Sequence, residues 1–327
     1  MGIYLVTGIN GFIGSHVSQR LLSRGHSVRG IVRRTSDLTF LQGQDPELSF
    51  GDITDRESLA TPIKGVEVVV HVAGLASDWG PFDRFYEVNV TGTRNTAAEA
   101  HLAGVRRFVH IGTTAVHGFS GFSHLDESAP MPESTFPYCE TKREAENWLF
   151  DFARTVPMEV SSIRPGNVYG PRDHTFIEKY LDAMEKRKLA YVGGGRCLTA
   201  PSYVENLVDA IEAACVEPRA AGEAFFITDG LDITWKVFTE KFATALGVNA
   251  PRLSVPFAVA HALGYASEKL YNLLKISSPP MITRYRVSNG GRDYHFSIDK
   301  ARRLLGYDPA VNFESAVENT VHWYRNR

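Results

Sequence analysis

Cysteine is scarce in this chain and occurs three times in 327 residues, as Cys139, Cys197 and Cys215. The three are far apart and odd in number, so they suggest neither a disulfide framework nor the spacing of a metal site. No stretch reaches the roughly 18 apolar residues that a membrane-spanning helix needs. The short apolar start leads straight into a glycine motif and does not read as a secretory leader. These absences predict a cytoplasmic protein with no membrane span and no bound metal.

An excess of positive charge is also missing. The formal net charge is -2 at pH 7, so no basic field is available to hold nucleic acid. Apolar residues make up 43% of the chain and charged residues 22%, as in ordinary globular proteins. The composition therefore argues against a nucleic-acid partner, and the function has to be inferred from the motifs.

Short β-branched runs alternate with amphipathic stretches through the first half of the chain. Such alternation is typical of a parallel sheet covered by helices on both faces. The predicted fold is α/β: a doubly wound Rossmann sheet over residues 1–165, with returning segments near 200–245, and a smaller, discontinuous C-terminal substrate-binding lobe mainly over 166–327. The predicted strands span residues 3–6, 27–32, 48–51, 66–72, 107–112 and 159–164.

A glycine motif lies between the first predicted strand and the first predicted helix. Glycine there permits a tight turn and lets backbone amides approach a phosphate, and the helix N-terminus adds a partial positive charge. The motif predicts a dinucleotide-binding loop, with a plain strand–turn–helix connection as the alternative. The cofactor-binding residues predicted in this loop are Gly8, Asn10, Gly11, Phe12, Ile13 and Gly14.

The end of the second predicted strand bears on the choice of cofactor. A carboxylate there would bind the ribose hydroxyls of NAD, but this chain has Arg33 and Arg34, and the first acid is Asp37. Guanidinium groups suit a 2′-phosphate, so NADP(H) is predicted over NAD(H), which stays open. A solvated basic turn is the alternative. Asp52 and Ile53, after the third strand, are predicted to meet the adenine, with a loop cap as the alternative for Asp52.

Tyr138 and Lys142 are four residues apart in a helical pattern and would share one helix face. The ammonium group is expected to lower the tyrosine pKa and make the phenol a better acid or base. Thr113 and Thr114 follow the predicted strand 107–112, at the sheet edge where ligands bind. Either hydroxyl could bind a substrate carbonyl, and capping of the strand end is the alternative. The predicted catalytic group is Thr113, Tyr138 and Lys142, with Thr114 as a substrate contact.

In their order, these motifs resemble those of an extended short-chain dehydrogenase/reductase. The matching segments are residues 7–14, 51–55, 71–74, 89–93, Thr113, Tyr138 with Lys142, and 164–171. The resemblance implies that Tyr138 is the general acid in reduction and that Lys142 binds the nicotinamide ribose. It further implies cofactor contacts at Ala73, Gly74, Pro165, Gly166, Asn167 and Val168.

Two positions depart from the family pattern. Gly112 stands where a serine is usual, and the smaller residue is expected to widen the pocket. His117 stands where a tyrosine is usual and has no assigned role.

Within this superfamily the chain most resembles the 3β-hydroxysteroid dehydrogenase-like group, on residues 77–82, 226–230, 292–297 and 300–307. That group includes reductases of long-chain β-keto acids. The resemblance implies an NADP(H)-dependent oxidoreductase that interconverts a ketone and a secondary alcohol on an apolar substrate. Trp79 is a predicted substrate contact, with Phe82 and Phe85 beside it. The apolar segment 255–274 is interpreted first as core, with a lid or a membrane-surface contact as alternatives.

Two other functions stay open. A nucleotide-sugar epimerase, dehydratase or reductase would use Asn167 at the substrate diphosphate, helped by Arg172, Arg196 and Arg292. A catalytically silent dinucleotide sensor would have lost the tyrosine–lysine pair, which is intact here.

The resemblance also implies a homodimer. It would pair the helices predicted at 138–154 and 90–103, with Trp148, Leu149 and Phe152 in the seam or, alternatively, buried within the monomer.

Overall fold

The computed structural model describes residues 2–327, which alternate strands and helices through most of their length. The strands are β1 (Ile3–Thr7), β2 (Ser27–Val32), β3 (Glu47–Phe50), β4 (Val66–His71), β5 (Arg107–Ile111), β6 (Phe122–Leu125), β7 (Glu159–Pro165), β8 (Asn167–Tyr169), β9 (Tyr191–Val192), β10 (Leu198–Thr199), β11 (Pro201–Tyr203), β12 (Ala224–Ile227), β13 (Ile233–Thr234), β14 (Ser254–Val255) and β15 (Tyr294–Phe296). The helices are α1 (Phe12–Ser23), α2 (Ala60–Ile63), α3 (Phe82–Phe85), α4 (Gly92–Leu102), α5 (Pro137–Ala153), α6 (Ile177–Glu185), α7 (Val204–Val216), α8 (Trp235–Leu246), α9 (Phe257–Leu273), α10 (Arg284–Gly291), α11 (Asp299–Leu305) and α12 (Phe313–Arg325).

A seven-stranded sheet in the order β12-β7-β5-β4-β1-β2-β3 forms the centre of the fold. Every neighbouring pair in it is parallel. The strand order reverses between β1 and β4, and ligands of such sheets bind outside the strand ends at that point. The predicted doubly wound Rossmann fold is confirmed, and the six predicted strands agree with β1 to β5 and β7 to within one residue at each end.

The middle of β4 shows why the strands are continuous apolar runs. Val68 and Val70 pack into the layer that contains α1 and α7, whereas Val69 packs into the opposite layer with α4 and α5. Successive side chains of a strand point to opposite faces, and both faces of this sheet are covered by helices.

A second lobe packs around an aromatic cluster formed by α6, α8, α12 and the end of β8. The returning elements are α7 and β12, and α11 also packs against the first core. Asp229, after β12, accepts hydrogen bonds from the backbone N–H of Tyr203 (2.9 Å), the Asn206 amide (2.9 Å) and the Tyr169 hydroxyl (3.2 Å). This buried carboxylate fastens the lobe to the edge of the sheet.

The helix α9 does not fit the preferred interpretation of segment 255–274 as core. Only Ala260, Gly264 and Glu268 of this helix are buried. Its larger apolar side chains, such as Leu263 and Leu270, are exposed. The core interpretation is therefore wrong for most of its apolar residues. Within residues 2–327, no helix is both long enough and apolar enough to cross a bilayer.

Candidate active site

The glycine loop follows β1 and begins α1. Gly8 has a φ of +65°, and a Cβ there would lie 2.9 Å from the backbone of Ala73. A Cβ on Gly14 would overlap the Gly8 carbonyl. Helix α1 has no side-chain cap and no acidic residue in its first turn. Its first amides are therefore available in a bare cradle that fits a pyrophosphate, and Phe12 and Ile13 form the start of this helix.

Two hydrogen bonds join this loop to its neighbours. The Ala73 N–H donates to Thr7 Oγ1 (3.1 Å), and the Asn10 amide donates to the Asp37 carbonyl (3.0 Å). Gly74 lies beside Asn89, since a Cβ on it would be 3.3 Å from Asn89 Oδ1. The predicted cofactor residues of β1, β4 and the turn after β2 therefore share one edge of the sheet.

Arg33 and Arg34 extend from the end of β2 at this edge, and both are exposed. The Arg33 N–H donates to Ser36 Oγ (3.0 Å), and the Arg34 guanidinium lies over the Phe50 ring, 4.8 Å from its centre. Among residues 2–327, no carboxylate forms an ion pair with either side chain. Both guanidinium groups are available to a phosphate.

The side chains of Asp52 and Ile53 are already engaged with neighbouring residues, which leaves little of either exposed for contact with an adenine. Asp52 Oδ1 accepts from the N–H of Thr54 (3.0 Å) and from its hydroxyl (2.9 Å), which is the loop cap considered as the alternative. Ile53 is buried against α4, where a Cβ on Gly92 would come within 2.6 Å of its side chain. Contact with the adenine stays a prediction for both residues.

The segment after β7 lies against β11. Pro165 ends β7, and a Cβ on Gly166 would overlap the Ala200 carbonyl. Asn167 and Val168 belong to β8, which pairs with β11. The backbone here approaches its neighbour as closely as glycine allows.

Tyr138 stands at the start of α5, directly after Pro137 at the first helical position. Tyr138 is half-buried, and burial raises its pKa to about 12, although a hydrogen bond with Thr113 acts in the opposite direction. The phenol is therefore protonated at neutral pH.

Lys142 lies one turn later on α5, and its side chain is buried. Its Nζ donates to the Ile111 carbonyl (2.6 Å) and lies 3.2 Å from His110 Nε2. Burial lowers the pKa of Lys142 to about 8, and the carboxylate of Glu146 opposes that shift. The expected lowering of the Tyr138 pKa by Lys142 is not seen in this geometry, because the ammonium is held at the end of β5.

The two threonines after β5 have different environments. Thr113 Oγ1 accepts from the Ala115 N–H (3.2 Å) and also lies within hydrogen-bonding reach of Tyr138. Thr114 is buried and donates to the Pro165 carbonyl (3.1 Å). The predicted substrate contact of Thr114 is therefore not supported, since its hydroxyl holds the end of β7.

Two buried histidines connect the glycine loop to Lys142, and sequence reasoning missed both. His71 and His110 are direct partners on β4 and β5, with ring centres 5.7 Å apart. His71 lies 3.0 Å from Thr7 Oγ1 and 3.1 Å from Thr93 Oγ1. Burial lowers the pKa of His71 to about 3 and the pKa of His110 well below its usual value, so both rings are neutral at pH 7.

The surroundings of Gly112 explain why a glycine stands here, and they contradict the expected wider pocket. A Cβ there would lie 2.7 Å from Glu146 Oε2 and 2.8 Å from Ser162 Oγ. Glu146 is fully buried, accepts from Ser162 Oγ (2.6 Å) and forms an ion pair with Arg164, whose Nε donates at 2.8 Å. The space freed by the glycine is therefore filled by this buried carboxylate. Glu146 lies one turn beyond Lys142, and that spacing was the available signal in the sequence.

His117 belongs to the same network. Its Nε2 lies 3.2 Å from an Arg164 nitrogen, and its Nδ1 lies 3.1 Å from the Pro130 carbonyl. Burial, with Arg164 as the next cause, lowers the pKa of His117 to about 4. The neutral imidazole of His117, at a position where the family usually has a tyrosine, accepts a hydrogen bond from the buried Arg164 guanidinium.

An aromatic wall stands beside Tyr138. The Tyr285 ring centre is 6.4 Å from that of Tyr138, 5.5 Å from Phe136 and 4.9 Å from Phe119. Tyr294 continues the wall at 5.5 Å from Phe119. Sequence reasoning missed these residues because they come from three distant segments.

Of the two aromatic residues predicted beside the Trp79 substrate contact, Phe85 does not face a cleft. Phe85 is buried in the core and Phe82 is exposed. Trp79 is half-buried, edge-on to Tyr271 at 6.2 Å, and its Nε1 donates to the Ile276 carbonyl at 3.4 Å. It therefore joins the loop after β4 to α9.

The groups considered for a diphosphate are engaged elsewhere. The Asn167 amide donates to Thr199 Oγ1 (3.1 Å) and accepts from Asn289 (3.0 Å). The arginines considered with it contact other parts of the chain: Arg172 donates to Gln19, Arg196 to the Gly193 carbonyl, and Arg292 lies over the Phe257 ring. None of these three contacts involves the surroundings of Tyr138.

Comparisons with known proteins agree with this geometry. The pattern of the NAD dependent epimerase/dehydratase family matches residues 4–227. The chain belongs to this family. It is 31% identical over 340 residues to the 3-beta-hydroxysteroid dehydrogenase of Mycolicibacterium neoaurum, covering 99% of this chain and 90% of that protein. It is 30% identical over 315 residues to the 4-hydroxy-2-methyl-3-oxo-4-farnesyl-3,4-dihydroquinoline-1-oxide ketoreductase of Stigmatella aurantiaca, covering 96% of this chain and 94% of that one.

A solved structure also resembles this protein. The dTDP-glucose 4,6-dehydratase DesIV of Streptomyces venezuelae, solved with NAD bound, has a TM-score of 0.81 and 27% identity and covers 99% of this chain and 97% of that one. The chain is an NAD(P)-dependent oxidoreductase of the extended short-chain dehydrogenase/reductase type. The resemblance inferred from the motifs is confirmed.

Replacing Gly112 by serine, the usual residue of the family, should destabilise this protein. The added side chain would press on Glu146 and Ser162, and overpacking of a buried site costs about 1–3 kcal/mol. Urea unfolding of Gly112→Ser measures this loss. Gly290→Ala is the matched control, because a Cβ there meets nothing within 4 Å. Equal stability of Gly112→Ser and the wild type would contradict the packing described here.

Because of the buried histidines, the free energy of unfolding should decrease in mild acid. Below pH ~6.5 the unfolded chain takes up protons on His71, His110 and His117, but the folded protein does not. Because the unfolded state then binds more protons, each ring should cost about 1.4 kcal/mol per pH unit, until the pH reaches its lowered pKa in the folded state.

Urea unfolding at pH 7 and pH 5 tests this expectation. The variant His117→Gln should lose about 2 kcal/mol less than the wild type between the two pH values. The exposed His322→Gln is the control and should behave like the wild type. An unchanged acid loss in His117→Gln would show that His117 is not held neutral.

Proposed function

We propose that the protein is an NADP(H)-dependent oxidoreductase that interconverts a ketone and a secondary alcohol on an apolar substrate of the 3β-hydroxysteroid or β-keto acyl type. The observation that carries the proposal is the aromatic wall of Phe119, Phe136, Tyr285 and Tyr294 beside Tyr138. Aromatic surfaces favour an apolar partner and offer no counter-charge to a diphosphate.

The chemistry follows from the groups around Tyr138. The nicotinamide cofactor supplies the hydride in reduction and accepts it in oxidation. In reduction, Tyr138 donates its phenolic proton to the developing alkoxide, and its raised pKa keeps that proton in place at neutral pH. Thr113 donates a hydrogen bond to the same oxygen. Lys142, held by the Ile111 carbonyl, contributes positive charge at the end of β5 and binds the cofactor ribose.

Preference for NADP(H) rests on Arg33 and Arg34. Both are exposed at the end of β2, on the same edge as the glycine loop, and among residues 2–327 no carboxylate neutralises them by an ion pair. Two guanidinium groups can bind a 2′-phosphate with several charge-assisted hydrogen bonds.

A nucleotide-sugar epimerase or dehydratase is the second candidate, and the likeness to DesIV favours it. That function needs a diphosphate site in the second lobe. Asn167 would have to exchange its hydrogen bonds with Thr199 and Asn289 for the phosphate oxygens.

A homodimer stays part of the proposal. Trp148 and Phe152 stack on α5 with ring centres 4.9 Å apart, and Arg94 of α4 lies over Trp148. Both aromatic side chains are only partly buried, which suits a seam between two copies. Leu149 is fully buried in the monomer and contributes to the core instead.

The variant Tyr138→Phe tests the proposed reaction. Loss of general acid catalysis should lower kcat by roughly 10²–10⁴ with little change in cofactor affinity. The assay follows oxidation of NADPH by its near-ultraviolet absorbance with a ketosteroid and a β-keto acyl ester. Conversion of a UDP-sugar is followed by separation of the products, because an epimerase or a dehydratase returns the hydride to its substrate and oxidises no NADPH overall. Tyr265→Phe, on the exposed side of α9, is the control. Near-normal turnover of Tyr138→Phe would remove this residue from its role, and turnover of the UDP-sugar alone would favour the second candidate.

Cofactor preference is tested by the double variant Arg33→Ala/Arg34→Ala. Loss of charge-assisted contacts to the 2′-phosphate should lower kcat/KM for NADPH by about 10- to 100-fold and leave the value for NADH nearly unchanged. Arg303→Ala, an exposed arginine at the end of α11, is the control. A wild-type preference for NADH would contradict the proposal.

A further inference from the structure

Helix α9 carries an apolar stripe on its outward side. Its largest members are Val259, Leu263, Leu270 and Leu273, with exposed fractions of 50%, 54%, 51% and 78%. Their spacing of four, seven and three residues places them on one face of a helix. Leu274 and Met281, which follow the helix, are exposed as well. Single exposed apolar residues need no explanation, but a contiguous stripe marks an interaction surface.

The opposite side of α9 is already packed. Gly264 lies so close to the start of α10 that a Cβ on it would be 3.0 Å from the Arg284 nitrogen. Glu268 is buried and forms an ion pair with Arg284 (2.6 Å). The inner side of α9 is therefore fixed against α10, and the apolar stripe on the other side is exposed in this packed arrangement.

Cations outnumber acids in the segment of the chain that contains the stripe. Residues 252–292 contain six arginines and lysines and one acid, Glu268, in a chain whose net charge is -2. Five of these cations are exposed: Arg252 before the helix, Lys269 on it, Lys275 just beyond it, Arg286 on α10 and Arg292 after α10. Glu268 points inward to Arg284, and Asp78, from the loop after β4, is paired with Arg286 (2.8 Å). Glu268 and Asp78 are thus each paired with an arginine, whereas Arg252, Lys269, Lys275 and Arg292 form no ion pair among residues 2–327.

The same elements border the active site on their inner side. Tyr271 of α9 meets Trp79 edge-on, and Tyr285 of α10 faces Tyr138. The helix pair α9 and α10 therefore carries the stripe on its outer side and Tyr285, one member of the aromatic wall, on its inner side.

We propose that the stripe on α9 docks the protein on an anionic membrane surface, with the cations around it against the lipid headgroups. An apolar helix face with flanking lysine and arginine is the chemistry that binds at a lipid interface. Pairing with a second copy would bring two groups of like charge together, which disfavours that occupant. Docking would hold the mouth of the active site near a source of apolar molecules, but the proposal does not depend on the reaction.

Sedimentation with vesicles tests the proposal. The full chain is mixed with vesicles of pure phosphatidylcholine or of equimolar phosphatidylcholine and phosphatidylglycerol. Binding is expected to the anionic vesicles, with a bound fraction that falls as salt increases. The double variant Leu263→Glu/Leu270→Glu should bind these vesicles at least about tenfold more weakly, since it removes two exposed leucines whose apolar area would be buried in the lipid on docking. Lys269→Glu/Lys275→Glu should weaken binding to anionic vesicles as well.

Leu102→Glu is the matched control, because Leu102 is an exposed leucine at the end of α4. It should bind the vesicles like the wild type. All substituted side chains are exposed, so thermal unfolding should be unchanged, which separates a lost surface from a lost fold. Sedimentation velocity in the absence of lipid completes the test.

Three results would overturn the proposal. One is no binding of the wild type to anionic vesicles, and another is equal binding by the wild type and Leu263→Glu/Leu270→Glu. The third is a wild-type dimer that this variant converts to monomer, since the stripe would then be covered by a second copy. Vesicle binding together with failure of the ketone assay would support docking and reject only the proposed reaction.

Discussion

A row of polar side chains crosses the sheet at one level, and each must find a partner away from water. Thr7, His71, His110 and Ser162 are successive partners on β1, β4, β5 and β7. Buried polar groups without hydrogen bonds are costly, so the helices above the sheet supply Thr93, Lys142 and Glu146 to this row. The requirement fixes α4 and α5 over the sheet and, with them, the place of Tyr138.

The same burial determines the charge state of the site. Neutral imidazoles at His71 and His110 leave the positive charge on Lys142 with the Ile111 carbonyl as its nearest strong acceptor. Glu146 lies one turn away and favours that charge without reaching it, because its oxygens are taken by Ser162 and Arg164. Helix α5, which carries Tyr138 and Lys142, is thus stabilised by buried polar groups of the sheet beneath it.

Much of this architecture could be predicted from local sequence. The strands of the Rossmann sheet are continuous β-branched runs, and the glycine loop and the Tyr138–Lys142 pair each lie within a few residues, so their geometry follows from one turn or one helix. The aromatic wall could not be predicted in this way, since Phe119, Phe136 and Tyr285 meet only in the folded chain. The exposure of α9 was also missed, because its composition is the same whether its apolar face packs inward or faces outward.

Gly112 and Glu146 constrain how this sequence can change. A serine at position 112 and a glutamate at position 146 claim the same small volume, so the effect of either substitution depends on the other residue. A serine at position 112 is therefore destabilising while Glu146 is present, and loss of Glu146 would leave the buried Arg164 charge without its partner. Substitutions at positions 112 and 146 are therefore expected to be coupled. Covariation of these two positions would mark proteins that share this arrangement.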